Sequence, residues 1–109
     1  MEELLIELAR SARSEQAVVT QQLTNGMELM FYPLENEMVV AVGLNYELAH
    51  EVPLEDVLRR RSGNMEQYGA WQPAMLTDGS LYVARRIPDW GENMLITVEE
   101  VTAAQELLA

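Results

Sequence analysis

The sequence contains a single histidine, His50, the one side chain type that changes charge near neutral pH without help from its surroundings. It stands between Ala49 and Glu51, just ahead of Pro53, and no neighbouring motif supplies the nucleophile or co-ligands that a general base or metal ligand needs. His50 therefore reads as a surface or capping residue. Carboxylates are plentiful: Glu2 with Glu3, Glu35 with Glu37, Glu55 with Asp56, Glu99 with Glu100. Two carboxylates facing each other across a cleft can hydrolyse a glycosidic bond, but these pairs fall where helices start or loops meet water. The spacing gives no EF-hand loop, no G-x-x-x-x-G-K-[ST] and no H-E-x-x-H. The absence of cysteine rules out disulfides and thiolate metal sites. Catalysis is not expected, and neither is a cofactor or a metal.

The remaining distinctive residues suit contact rather than reaction. Six methionines lie inside the chain (Met27, Met30, Met38, Met65, Met75, Met94), three of them between 27 and 38. A flexible thioether fits an adaptable binding surface as well as a gap in a core. Trp71 and Trp90 sit in turn-rich surroundings, where an interface role and core capping are both open. Eighteen acidic residues against seven arginines give a net charge of −11, which repels phosphate backbones and anionic lipid surfaces. Nucleic acid and membrane are thus poor partners. Arg59-Arg60-Arg61 and Arg85-Arg86 are positioned for local salt bridges or dimer contacts.

These residues have to be held by a small framework. A length of 109 residues with 49 % apolar content supports one domain, 1–109, with one core. At that size apolar surface is hard to cover, and oligomerisation is one remedy. The acidic N-terminus lacks the pattern of a signal peptide, and no apolar run approaches the roughly 20 residues that cross a bilayer. A cytoplasmic location is expected.

Leu4, Leu5, Leu8 and Ala12 share one face of an amphipathic helix over about residues 2–13. Val18-Val19-Thr20, Met27 to Tyr32 and Met38 to Leu44 then read as three antiparallel strands, with a tight turn at Asn25-Gly26. A sheet with one wet face alternates apolar and polar residues. Here Met27, Leu29 and Phe31 share one face while Met30 and Tyr32 share the other, and Val39 and Ala41 oppose Met38, Val40, Val42 and Leu44. Both faces are apolar, so one can cover a helix and the other requires a helix, a second subunit or a bound protein.

Pro53 is suited to the first position of a second helix carrying Leu54, Val57 and Leu58, with Ser62-Gly63 as its stop and a further turn from Asn64 to Ala70. Met75-Leu76 and Leu81 to Ile87 form a hairpin around Thr77-Asp78-Gly79-Ser80, with Pro88 interrupting the outgoing strand and a loop over 89–93. Thr97 and Glu100 make a capping box, stapled by Ile96 and Val101, for a last helix reaching Leu108. The fold class is α+β in the order α-β-β-β-α-β-β-α, a twisted antiparallel sheet packed by helices.

Several of these patterns together resemble the class I type III secretion chaperones of the Tir chaperone family. They are the acidic, cysteine-free composition, the helix Met1 to Leu8 running into a meander, and the passage Glu66-Gln67-Tyr68-Gly69 into a strand. The most specific is Leu76 to Pro88, a turn around Asp78-Gly79 followed by an apolar strand that ends in Arg85-Arg86-Ile87-Pro88. The chain is shorter than typical members, and its last helix is brief.

The resemblance implies a homodimer, or a heterodimer with a second chaperone. It also implies a partner: a secreted effector or other type III substrate whose N-terminal region wraps the chaperone in extended form and stays soluble and export-competent. Leu54, Val57, Leu58, Leu81, Val83 and Arg85 would make the dimer interface. Leu5, Leu8, Met27, Leu29, Phe31, Val39 and Ala41 would make the client-binding groove. On that basis an aspartate at Leu29 or Phe31 removes client binding and spares the fold. A structural or regulatory adaptor of a secretion apparatus, with the same fold and no enzymatic activity, is the alternative.

Overall fold

Helix α1 (Glu2–Glu15) forms because Leu5, Leu8, Ala9 and Ala12 recur every three or four residues and are buried together, while Glu3, Glu7 and Arg10 stay in water. Each fully buried leucine contributes about 1.5–3 kcal/mol, which a helix of this length requires to persist. The helix ends at Gln16, whose φ of 51° is left-handed, and the Ala17 N–H donates back to the Ala12 carbonyl at 3.3 Å. Arg13 then fixes this end to the sheet, donating to the Leu34 carbonyl at 2.8 Å and the Glu37 carbonyl at 3.1 Å. These coordinates are a computed structural model, which describes residues 2–23, 26–88 and 96–109.

Strands β1 (Val19–Gln22), β2 (Met27–Pro33), β3 (Glu37–Leu44), β4 (Gln72–Met75) and β5 (Leu81–Pro88) form one antiparallel sheet in the order β1-β2-β3-β5-β4. The register sorts the strand residues into two faces. Met27, Leu29 and Phe31 lie opposite Leu44, Val42 and Val40, which lie opposite Leu81, Val83 and Arg85. The apolar members of that face form the core with α1 and α5 (Val98–Leu108). The other face carries Glu28, Met30, Tyr32, Val39, Ala41, Gly43, Tyr82 and Ala84; none of these joins the contiguous core cluster, although Ala41 is buried by its neighbours on this face. Gly43 is required there because the Tyr82 ring lies where any Cβ would stand. Burial, then the nearby Glu28 carboxylate, push the Tyr82 phenol up, so it stays neutral at physiological pH.

The expected α+β architecture is present, including the further helical turn expected between Asn64 and Ala70, and one short helix is added after β3. Helix α2 (Tyr46–Ala49) follows β3, and helix α4 (Met65–Tyr68) follows α3 (Leu54–Gly63). Asn45 accepts from the Leu48 N–H at 3.1 Å and Asn64 from the Gln67 N–H at 3.3 Å, so short-range capping builds both. Pro53 is the N-cap of α3 rather than its first residue, and the helix stops at Ser62-Gly63 as expected. Strand β5 continues through Pro88, which sits at the strand end opposite Glu37, where a missing N–H costs little. Asn25 of the expected turn, the loop 89–93 with Trp90, and Met94 lie outside the described residues; Gly26 follows with a φ of 74°.

The arginine clusters are used inside the chain. Arg59 pairs with Glu55 and Asp56 on the α3 surface. Arg60 donates to the Glu106 and Leu107 carbonyls, capping the negative end of α5. Arg61 donates to the Gly69 and Trp71 carbonyls at 2.9 and 2.8 Å, holding the chain as it enters β4. Arg85 pairs with Glu100 of α5 and lies 5.5 Å from the centre of the Trp71 ring. Trp71 is buried, so its role here is in the core. The capping box of α5 is present as expected, with Thr97 and Glu100 each accepting from the other's backbone.

Candidate protein-binding site

The sheet ends in two strands with a neighbour on one side only, β1 and β4. An antiparallel ladder alternates residues whose backbone groups face the partner strand with residues whose groups face away. Beyond β1, the Leu23 N–H donates to the Met27 carbonyl at 2.7 Å, in register with the pairing of Val19 with Phe31 and Gln21 with Leu29. Residues 19, 21 and 23 therefore face β2, and the N–H and C=O of Thr20 and Gln22 point outward. On β4 the Leu76 N–H donates to the Ser80 carbonyl at 2.8 Å, continuing the register of Ala74 with Tyr82 and Gln72 with Ala84. The outward positions there are Pro73 and Met75, and Pro73 has no N–H to offer.

Beside β1 runs an open groove of about 560 Å3, lined by Leu4, Glu7, Leu8, Arg10, Ser11, Ser14 and Glu15 of α1 and by Gln21 of β1. Leu4 and Leu8 are its apolar side chains; the rest of the lining is polar, with Glu7 and Glu15 set against Arg10. The alternation of β1 is half-buried Val19 and Gln21 toward α1, exposed Thr20 and Gln22 toward the open face. The Gln21 side chain donates to the outward Gln22 carbonyl at 3.1 Å, and Gln22 donates to Glu28 at 3.0 Å. The site thus offers backbone hydrogen bonds, two leucine side chains, and charges of both signs with one carboxylate in excess. Such a set can hydrogen-bond the backbone of an extended segment.

The expected client-binding residues divide between two faces. Leu5, Leu8, Met27, Leu29 and Phe31 are core residues of the single chain, with Leu29 and Phe31 at 0 % exposure. Val39 and Ala41 lie on the opposite face, Val39 half-buried and Ala41 enclosed by its neighbours. Only Leu8 also lines the groove. Of the expected dimer-interface residues, Val57, Leu81 and Val83 are buried within the chain and Arg85 is engaged by Glu100. Leu54 is half-buried and Leu58 exposed. Met27, Leu29 and Phe31 of the covered sheet face, packed with Leu5 and Leu8 of α1, cannot both fill the core and stand open to a partner in the same conformation. Leu4, Thr20, Gln21 and Gln22 were not singled out by sequence reasoning; the β-branched Val18-Val19-Thr20 marks a strand but not that it is an edge.

His50 is exposed at the end of α2. No group of three or more His, Cys, Asp or Glu that could hold a metal occurs among the described residues. No helix among them is long and apolar enough to cross a membrane.

No family model matches the sequence, and no curated protein matches it. Two solved structures resemble the chain. One is the heterodimeric complex ExoU-SpcU from the type III secretion system of Pseudomonas aeruginosa, with a TM-score of 0.54 and 20 % identity over 93 % of this chain and 84 % of that one. The other is the ExsC-ExsE complex, with a TM-score of 0.52 and 11 % identity over 99 % of this chain and 87 % of that one. At these identities the likeness is one of fold alone, helices packed on a five-stranded antiparallel sheet.

Proposed function

We propose that this protein is a cytoplasmic type III secretion chaperone that binds the N-terminal region of a secreted protein and keeps it soluble and export-competent. The observation that carries the reading is the unpaired β1 edge beside an open groove that holds Leu4 and Leu8, a combination that suits an extended segment. The family resemblance of the sequence supports it, as does the fold likeness to chains solved in two-protein complexes, one of them from a type III secretion system. The acidic surface, net charge −11, keeps a chain with exposed apolar side chains in solution while it waits for its client.

The same reading includes a dimer. Leu58 and the half-buried Leu54 on α3 form its contact, extended by the exposed Met65, Met75 and Leu76. Val57, Leu81, Val83 and Arg85 support that surface from beneath. Sedimentation at micromolar concentration should give twice the chain mass, and Leu58→Asp should give one chain mass without loss of helix content.

The decisive experiment is co-expression with the product of the adjoining reading frame in a strain that secretes it. A soluble complex is expected, lost when the N-terminal segment of that product is deleted, and export should fall in the absence of this chain. Unchanged solubility and export in its absence would remove the chaperone reading.

A further inference from the structure

Sulfur occurs in this chain only as the methionine thioether, with no cysteine to react before it. Burial divides the internal methionines among the described residues. Met27 and Met38 lie in the core at 5 % and 1 % exposure, and Met30 is half-buried on the open sheet face. Met65 and Met75 are each 51 % exposed. Met65 begins α4 and Met75 ends β4, and both of those elements pack against α3. The register sets Met75 opposite Leu81, at the margin of the sheet face that the helices cover. We propose that Met65 and Met75 are a paired oxidation site, at which an uncharged hydroperoxide converts thioether to sulfoxide and thereby opens the dimer. The inference rests on the dimer reading and adds its regulation.

At each site the thioether sulfur attacks one peroxide oxygen. The S–O bond forms as the O–O bond breaks, and sulfur gives up two electrons. The second oxygen leaves as water, or as an alcohol, after taking the proton from the transferred hydroxyl. The oxidant carries no charge, so a net charge of −11 does not hold it off. The separated chain is the reactive form, because contact with a second copy covers both sulfurs. A sulfoxide returned to that contact would bury a strong acceptor among Leu58 and Leu76, whose side chains offer no donor. Oxidation thus traps the separated chain. Neither methionine belongs to the core cluster, so the fold survives the change.

The test treats the full chain with hydrogen peroxide and follows it by peptide-resolved mass spectrometry, circular dichroism and sedimentation equilibrium. Met65 and Met75 should each gain one oxygen at least about tenfold faster than Met27 and Met38. Their oxidation should slow as protein concentration rises through the dimer dissociation constant, while that of added N-acetylmethionine stays constant. The dissociation constant of the oxidised chain should rise at least about tenfold with the native dichroism retained. The two epimer-specific methionine sulfoxide reductases should restore the dimer. Met65→Leu combined with Met75→Leu keeps volume and removes both sulfurs, so it should dimerise as the parent does and ignore peroxide. Met65→Gln combined with Met75→Gln should be weakened without any oxidant. A dimer that persists once both sulfoxides have formed, equal loss of the dimer in the leucine variant, or unfolding on oxidation overturns the inference and leaves the dimer reading standing. A single-chain mass before treatment removes the dimer reading, and the oxidation switch with it.

Discussion

The two edges of the sheet answer the same hazard in opposite ways. At β4 the outward positions are Pro73, which has no N–H, and Met75 near the strand end, and Arg61 ties down the Gly69 and Trp71 carbonyls just before them. At β1 the outward positions are Thr20 and Gln22, each with an intact N–H, beside a groove that leads under α1. Proteins ordinarily blunt exposed edges because an unpaired strand recruits other chains. A fold that guards one edge with proline and leaves the other open has separated stability from recruitment. The guarded edge lies by α3, the element assigned to dimer contact, and the open one lies by α1.

The largest effect comes from undermining the open edge. Phe31 is paired with Val19 of β1 and is fully buried against the core. Phe31→Asp would bury a carboxylate with no cationic partner, a loss above about 4 kcal/mol and enough to unfold a small domain. Tyr32→Asp, one residue on and facing the open side at 46 % exposure, should cost less than about 1 kcal/mol. Urea unfolding followed by circular dichroism separates the two. Equal destabilisation would mean that the two faces are not distinguished as the register implies. The sequence-based expectation for Phe31→Asp, lost binding with the fold retained, is thereby reversed.

A smaller effect should follow from removing the guard on the other edge. Pro73→Thr restores an outward N–H next to exposed Met75, leaving the ladder to β5 intact. Stability should change by less than about 1 kcal/mol, since no buried contact is lost. Self-association beyond the dimer should appear in sedimentation velocity and rise with concentration. If the variant behaves as the parent does, proline is not what protects β4, and the asymmetry between the edges has another source.

Much of this framework was legible in the residues. Helical spacing in α1, the capping box at Thr97 and Glu100, and the hairpin around Asp78-Gly79 are local signals, and each element stands where they put it. The apolar character of both sheet faces was legible as well. What periodicity does not contain is strand order, so it could not say which face α1 covers or that β1 ends the sheet. The seven groove residues named from the sequence therefore mix Leu29 and Phe31 of the covered face with Val39 and Ala41 of the open one. Thr20, Gln21 and Gln22 carry no composition signal at all; their importance comes from which way their backbone points. The one-turn helix α2 is too short to leave a period, and only Asn45 marked it, whereas the turn of α4 was legible between Asn64 and Ala70.

The smallest predicted effect concerns the connection that sets α1 over the open edge. Gln16 holds a left-handed conformation, φ 51°, where a side chain costs roughly 1–2 kcal/mol and glycine costs nothing sterically. Against that strain stands the bond from the Gln16 amide to the Arg13 carbonyl at 2.7 Å, an exposed contact contributing about 0.5 kcal/mol. Glycine also loosens the unfolded chain by about 0.4–1 kcal/mol. Relief of strain slightly exceeds the two losses, so Gln16→Gly should raise stability by about 0.5 kcal/mol. Gln16→Ala keeps the strain and loses the bond, and should fall below the parent. If both variants shift the urea midpoint downward, the amide contact outweighs the strain. The side chain of Gln16 would then be what keeps α1 at its distance from β1, and the groove would depend on it.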